Sequence, residues 1–235
     1  MMTPGENPGS SSFYRRPWAA LLWVLAGLVG TGAAAALWRG ASAVLGPGTA
    51  QLAYLVLLSA PMIVAAAIAI AVCAKPGFMR RVVFSGTWMD VVLGLSLGLV
   101  ARALVEVVAP TTGSLLAGFG FISYTAIVVT AVGAAFVSPV VEEFFFRGLA
   151  VAALLDLCRT LGRAVAGIVS VALSTCAFVV MHVFLAGGVV TWGQLLAPLF
   201  VGVGCGIVFV VTRRLLSSLL FHIVFNAIGV VLLIW

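Results

Sequence analysis

The chain consists of long apolar runs separated by short polar connections. A transmembrane helix needs about 20 consecutive apolar residues, with roughly 17 as the lower limit. Seven runs are long enough, whereas the run at 143–157 has only about 15 residues. The eight runs cover about residues 18–38, 50–74, 88–109, 121–141, 143–157, 164–185, 194–212 and 215–235. This pattern predicts an all-α, polytopic transmembrane helix bundle of seven spans plus one short re-entrant or interfacial helix.

The N-terminal residues differ in composition from the rest of the chain. Residues 1–16 are rich in Gly, Pro, Ser and Asn, so we predict a disordered cytoplasmic tail there. Residues 17–235 are predicted to form a single transmembrane domain. The first apolar run has a core of about 20 residues, longer than the roughly 7–15 of a signal peptide, and we interpret it as a retained span.

Composition supports a membrane protein. The chain is 64% hydrophobic, and charged residues make up 8% of it, against about 25% in soluble domains. Its net charge of +6 is explained by cations at helix ends, so we expect a lipid bilayer and no nucleic acid as partner. The cysteines lie singly and predict neither a disulfide framework nor a thiolate metal site. They are Cys73, Cys158, Cys176 and Cys205.

The loop cations predict an orientation. With a cytoplasmic N-terminus and a fifth segment that does not cross, only Arg39 lies outside. The cytoplasmic cations are then Arg15, Arg16, Lys75, Arg80, Arg81, Arg159, Arg163, Arg213 and Arg214. If the fifth segment crosses as a separate span, the cations divide evenly. The positive-inside rule therefore favours a multi-pass protein of the cell membrane with a cytoplasmic N-terminus and an external C-terminus.

One group of charged residues lies within the apolar sequence. Glu143 and Arg147 are four residues apart in the favourable order for a helical ion pair. Glu142 is rotated about 100° from Glu143, so Arg147 cannot serve both carboxylates equally. The remaining carboxylate, in a site with little water, is a candidate general base or proton carrier. The alternative is that all three residues only mark a helix end at the cytoplasmic interface.

Both histidines of the chain lie in apolar helices. His182 follows Phe178 by four residues and His222 precedes Asn226 by four, so each pair shares a helical face. Together with Glu142, these residues form a candidate site. In the predicted topology, however, Glu142 ends its span on the cytoplasmic side and His182 lies toward the outer side. A kink or a shorter helix would be needed to bring them together.

Three other charged residues are predicted to have no chemical role. Arg102 and Glu106 are four residues apart and are interpreted as a structural ion pair. Asp90 lies near a predicted helix start and is expected to be solvated.

The three motifs resemble those of a known family. Glu-Glu-x-x-x-Arg at 142–147, Phe-x-x-x-His at 178–182 and His-x-x-x-Asn at 222–226 are similar to the motifs of the CPBP (Abi) intramembrane proteases. That family includes the CAAX prenyl endopeptidases and bacteriocin-processing and self-immunity proteins. Gly148 after the arginine is also common there. The resemblance covers about residues 121–235.

The resemblance implies peptide-bond hydrolysis by a water activated between Glu142 and His182. His222 and Asn226 would form the oxyanion hole. Glu143, Arg147 and Phe178 would hold the site in shape. No cofactor is expected. The alternative is zinc bound by Glu142, His182 and His222, which we favour less because there is no HExxH pair and an asparagine is a poor zinc ligand.

The predicted function is therefore an intramembrane endopeptidase acting on a membrane-associated protein or peptide. Its substrate would be reached from the cytoplasmic side or within the bilayer. Two alternatives stay open. One is a non-proteolytic immunity or scaffold protein of the same fold, and the other is a proton-coupled transporter that uses Glu142 and the histidines as a relay.

Overall fold

The computed structural model describes residues 12–41, 45–111 and 123–234. The described chain contains seven helices long and apolar enough to cross a membrane. They are α1 (Pro17–Ala41), α2 (Pro47–Cys73), α3 (Trp88–Val108), α4 (Tyr124–Leu157), α5 (Arg163–Leu185), α6 (Trp192–Thr212) and α7 (Leu215–Ile234). The predicted all-α polytopic bundle of seven spans is confirmed.

Helix α4 joins two segments that the sequence separates. The predicted fourth span and the short segment at 143–157 form one helix of 34 residues. Two stretches of it, Gly133–Val137 and Glu143–Val151, are π-helical. The short segment is therefore not a separate re-entrant or interfacial helix, because no proline lies between Pro139 and Leu157 to interrupt it. Glu142 consequently lies in the interior of a helix and not at its end.

The N-terminal segment 12–16 packs against α4. The backbone N–H groups of Phe13 and Tyr14 donate to Oδ2 of Asp156 over 2.7 and 2.6 Å. The Tyr14 hydroxyl donates to the carbonyl of Gly148 over 2.8 Å. The prediction of a disordered tail is therefore wrong for residues 12–16, because two adjacent aromatic side chains gain enough apolar burial to order them. Residues 1–11 lie outside the described residues.

Several cation-bearing segments meet at one end of the bundle. Tyr14 forms an antiparallel bridge with Ala74, beyond the end of α2. Asp156, near the end of α4, holds the same N-terminal segment. The guanidinium of Arg213, between α6 and α7, lies 4.1 Å from the centre of the Phe13 ring. These contacts gather four segments whose cations were predicted to share one side. That this side is cytoplasmic stays a prediction.

Helices α3 and α7 touch through their backbones. A Cβ atom at Gly94 would lie 2.6 Å from the carbonyl oxygen of Ser217, and one at Gly98 would lie 2.7 Å from that of Phe221. Only glycine permits so close an approach. The contact at Phe221 fixes the helix immediately beside His222.

Asp90 is buried in this same interface. Its carboxylate accepts hydrogen bonds from the Thr87 backbone N–H at 2.7 Å and the Ser217 hydroxyl at 2.9 Å, and it pairs with Arg214 at 2.7 Å. The expectation that Asp90 is solvated is wrong, because it closes a capping box at the start of α3 and joins α3 to α7.

The predicted ion pair between Arg102 and Glu106 is present in α3. Glu106 also accepts a hydrogen bond from the backbone N–H of Thr111 at 2.8 Å. The pair therefore secures the chain just beyond the C-terminal end of α3.

Candidate active site

The two adjacent glutamates of α4 have different surroundings. Glu143 is completely buried, and its Oε1 lies 3.0 Å from Nη1 of Arg147. The predicted ion pair within the helix is thus formed. The Glu142 side chain retains 12% of its exposure and lies on the wall of a pocket. One carboxylate is held in place, while the other faces an open volume.

Arg147 connects α4 to two other helices. Its Nη2 donates to the carbonyl of Val201 at 2.8 Å and to that of Gly202 at 3.2 Å, both in α6. The guanidinium carbon also lies 5.2 Å from the ring centre of Phe178 in α5. The arginine is 1% exposed, so backbone carbonyls and an aromatic face replace water around a buried cation.

His222 of α7 lies against both glutamates. Its Nδ1 is 2.8 Å from Oε1 of Glu143, and its Nε2 is 3.7 Å from Oε2 of Glu142. A carboxylate paired with arginine can only accept hydrogen bonds, so Nδ1 carries the hydrogen in the first contact. The second distance is too long for a direct hydrogen bond.

His182 is held by the aromatic residue one turn before it. Its Nδ1 lies 2.9 Å from the carbonyl oxygen of Phe178, and the two ring centres are 4.3 Å apart. The Phe178 ring also meets the His222 ring edge-on, with 6.0 Å between centres. Phe178 thus links the two histidines. The difference in depth predicted between His182 and Glu142 does not require a kink, because Glu142 lies in the middle of α4.

Asn226 contacts the first π-helical stretch of α4. Its Nδ2 donates to the carbonyl of Ala134 over 2.9 Å. An amide nitrogen carries two hydrogens, so this contact orients the side chain and leaves a second donor. The predicted His222–Asn226 face of α7 is therefore directed at α4.

The pocket beside Glu142 has a volume of about 240 Å³ and lies between α1, α2, α4 and α5. Its lining includes hydroxyl and amide side chains that the sequence did not single out. They are Thr31, Gln51, Tyr54, Ser59, Thr130 and Ser138. Isolated Ser and Thr residues in apolar helices have no spacing that identifies them beforehand. The walls come from the later parts of α1 and α5 and the earlier parts of α2 and α4, so the pocket lies away from the N-terminal segment.

One set of possible metal ligands occurs among the described residues. A ligand atom of each of Glu143, Cys205 and His222 lies within 4.8 Å of the others, and all three side chains are buried. The set differs from the zinc alternative predicted above, which used Glu142 and His182 with His222. Cys205 was not predicted for any site, because nothing in its sequence surroundings shows that α6 and α7 bring it to Glu143.

Comparison with known proteins identifies the part of the chain that contains this site. Residues 124–228 match the family described as Rce1-like: Type II CAAX prenyl endopeptidase Rce1-like. Neither a curated protein nor a solved structure matches the chain. The matched range begins at α4 and ends within α7, and it contains every residue of the three motifs. Residues 124–228 therefore match an Rce1-like domain of the CAAX protease family.

Proposed function

We propose that this protein is an intramembrane endopeptidase that hydrolyses a peptide bond in a membrane-associated protein or peptide. The observation that carries the proposal is the position of Glu142. Its carboxylate is not the one paired with Arg147, it lies on the wall of the 240 Å³ pocket, and it is 3.7 Å from a ring nitrogen of His222.

Glu142 acts as the general base in this proposal. A water between Glu142 and the histidines would give its proton to the carboxylate as its oxygen attacks the scissile carbonyl. Glu142 would then pass the proton to the leaving amine, so the carboxylate is regenerated. His182, whose Nδ1 is engaged by the Phe178 carbonyl, has Nε2 left to hold the water. A positioned base of this kind contributes typically about 10²–10⁴-fold to the rate.

His222 and Asn226 would stabilise the oxyanion of the tetrahedral intermediate. The Glu143 carboxylate holds Nδ1 of His222, so an Nε2–H on the same ring would point toward the reacting oxygen. Asn226 would contribute the amide hydrogen that the Ala134 carbonyl does not use. In such sites one donor is worth about 2.7–4 kcal/mol of transition-state stabilisation.

Glu143, Arg147 and Phe178 are positioning residues in this account. Arg147 neutralises Glu143 and is fixed by two carbonyls of α6. Phe178 packs on Arg147 and on both histidine rings. Their role is to hold α4, α5, α6 and α7 in the register that brings the motif residues together.

The pocket supports substrate entry from within the bilayer more than entry from the predicted cytoplasmic end. Its walls lie away from the segments where the loop cations gather. A peptide segment that enters the pocket would meet hydroxyl and amide groups before it reaches Glu142. Those groups can hydrogen bond the exposed peptide backbone, which lipid chains cannot do at that depth.

Comparative membrane proteomics tests this function even though the substrate is unidentified. Cells carrying the wild type, Glu142→Gln or Glu106→Gln are compared for membrane proteins that persist in a longer form. We expect one or more precursors to accumulate with Glu142→Gln alone. Glu106→Gln is the matched control, because it makes the same chemical change in the ion pair of α3.

A wild type and a Glu142→Gln strain with identical membrane proteomes across several growth conditions would contradict the proposal. A biological effect that Glu142→Gln leaves intact would favour a scaffold or immunity protein of the same fold. Resistance of the cleavage to chelators would support the metal-free mechanism, whereas loss on chelation and rescue by zinc would replace it with a metal-dependent one.

A further inference from the structure

We propose that Glu143, Cys205 and His222 form a binding site for a thiophilic divalent cation, with zinc as the metal that fits best. The three side chains come from α4, α6 and α7 and are buried. Their ligand atoms lie within 4.8 Å of one another. Three elements that are distant in the sequence thus place three different kinds of metal ligand around one point.

The donor set has the chemistry of a zinc site. Zinc in proteins is bound by cysteine sulfur at about 2.3 Å, histidine nitrogen at about 2.0–2.1 Å and carboxylate oxygen at about 2.0–2.2 Å. Tetrahedral coordination at those lengths separates ligand atoms by about 3.5 Å. Movement of about 1 Å by side chains would close the site. Calcium and magnesium prefer oxygen ligands and do not suit a thiolate and an imidazole.

A second observation also points to a missing ligand. Oε2 of Glu143 is buried and has no hydrogen-bond partner in the described structure. The contacts of this carboxylate with Arg147 and His222 both go to Oε1. A buried carboxylate oxygen without a partner is costly, and a bound cation would satisfy it.

The charges around the site balance when a metal is bound. Cys205 donates its thiol hydrogen to the carbonyl of Ser218 over 3.4 Å, and metal binding would release that proton to solvent. Zinc and Arg147 then bring three positive charges, and the Cys205 thiolate with the carboxylates of Glu142 and Glu143 brings three negative charges. Arg147 therefore does not prevent binding, since its charge is compensated.

The neighbouring pocket lies beside the site. Glu142 lies on the pocket wall, and its Oε2 is 3.7 Å from Nε2 of His222. Glu143 lies at Nδ1, on the other side of the ring, so Glu142 does not bind the same ion and a water would complete the coordination. An ion at Nδ1 would replace the hydrogen bond to Glu143 and leave Nε2 of His222 facing Glu142, so metal binding does not depend on the proposed function.

Metal binding can be measured without a peptidase assay. Purified, reduced full-length protein is equilibrated with zinc, desalted and analysed for bound metal, and cobalt is used in parallel because a thiolate ligand gives a charge-transfer absorption band. We expect about one equivalent of zinc and a cobalt–thiolate band for the wild type. Cys205→Ser should lose the band and lower zinc affinity at least about 10-fold.

The chain offers matched controls among its other cysteines. Cys73→Ser changes an equally buried thiol, and Cys176→Ser changes an exposed one, so both should keep the metal and the band. Thermal unfolding verifies that each variant is folded, and Cys205→Ala replaces Cys205→Ser if the serine destabilises the protein.

A folded wild type that gives no cobalt–thiolate band would overturn the site, as would a Cys205 variant that binds zinc like the wild type. The experiment measures bound metal and not cleavage. The metal site can therefore be contradicted while the proposed peptidase function stands, and the peptidase function can be contradicted while the metal site stands.

Discussion

Oε1 of Glu143 lies 2.8 Å from Nδ1 of His222, in an environment from which water is excluded. The same oxygen pairs with Arg147 at 3.0 Å. One carboxylate therefore fixes the orientation of the histidine while it neutralises a buried guanidinium. Glu142, the preceding residue, does not take part in that ion pair and faces the pocket. The two glutamates have the same side chain. Their surroundings give Glu143 a structural role and make Glu142 the candidate catalytic residue.

This division predicts that Glu143→Gln destabilises the protein far more than Glu142→Gln. Removal of one partner of a buried ion pair leaves an uncompensated charge and costs about 3–5 kcal/mol. Thermal unfolding in detergent should show a clearly lowered midpoint for Glu143→Gln and a shift close to zero for Glu142→Gln. Equal shifts would show that Arg147 does not distinguish the two carboxylates.

Asn226→Ala is predicted to slow cleavage while the protein stays folded. Loss of the hydrogen bond to Ala134 costs about 1 kcal/mol of stability, whereas loss of an oxyanion donor lowers kcat about 10²–10³-fold. The ratio of precursor to product in cells, or the rate with purified protein, measures the effect. Gln194→Ala removes an exposed amide at the start of α6 and is the control. A wild-type rate for Asn226→Ala would exclude it from the oxyanion hole.

Gly98→Ala is predicted to damage both stability and activity. The new methyl group would lie 2.7 Å from the carbonyl oxygen of Phe221, so α3 and α7 would have to separate and carry His222 away from Glu143. Overpacking of this kind costs about 1–3 kcal/mol. Gly32→Ala is the control, because its methyl group would meet only a ring carbon of Phe184 at 3.7 Å. Unfolding midpoints and precursor accumulation should change with the first substitution and not with the second.

Tyr14 is predicted to make stability depend on pH in the alkaline range. Burial, and then the nearby Asp156, raise the pKa of the Tyr14 phenol above its ordinary value. The folded state therefore holds the phenol proton more tightly than the unfolded state. This stabilisation is complete below the unfolded pKa of about 10 and is lost as the pH rises above it.

Unfolding midpoints measured from pH 8 upward should consequently fall more steeply for the wild type than for Tyr14→Phe above about pH 10. Tyr124→Phe changes an exposed tyrosine and should follow the wild-type curve. Parallel curves for the wild type and Tyr14→Phe would show that the N-terminal segment does not stay packed on α4 in solution.

The seven spans follow directly from the sequence, because apolar runs of about 20 residues are stable in the core of a bilayer. The continuity of α4 does not follow. Glu142, Glu143 and Arg147 interrupt the apolar pattern in the way an interfacial helix end would. They are tolerated inside the helix because partners distant in the sequence satisfy them, namely the carbonyls of α6 and the ring of His222.

Two further features, the burial of Asp90 and the order of the N-terminal segment, are indicated by patterns in the sequence. Thr87 and Asp90 have the spacing of a capping box before an apolar run, which explains why Asp90 is buried and not solvated. Phe13 and Tyr14 are adjacent aromatic residues in an otherwise polar segment, and such a pair favours packing over disorder. The position of Cys205 beside Glu143 has no such signal, since it depends on how α6 and α7 pack.

The most direct test of the account is cleavage of the precursor that accumulates with Glu142→Gln, by purified protein in liposomes. The wild type and Glu106→Gln should convert the precursor to its shorter form, and the wild type should do so with or without a chelator. Glu142→Gln, folded and with an unchanged unfolding midpoint, should be at least about 10²-fold slower, as expected for the loss of a general base. Cleavage by Glu142→Gln at the wild-type rate would contradict the central claim that this carboxylate activates the water.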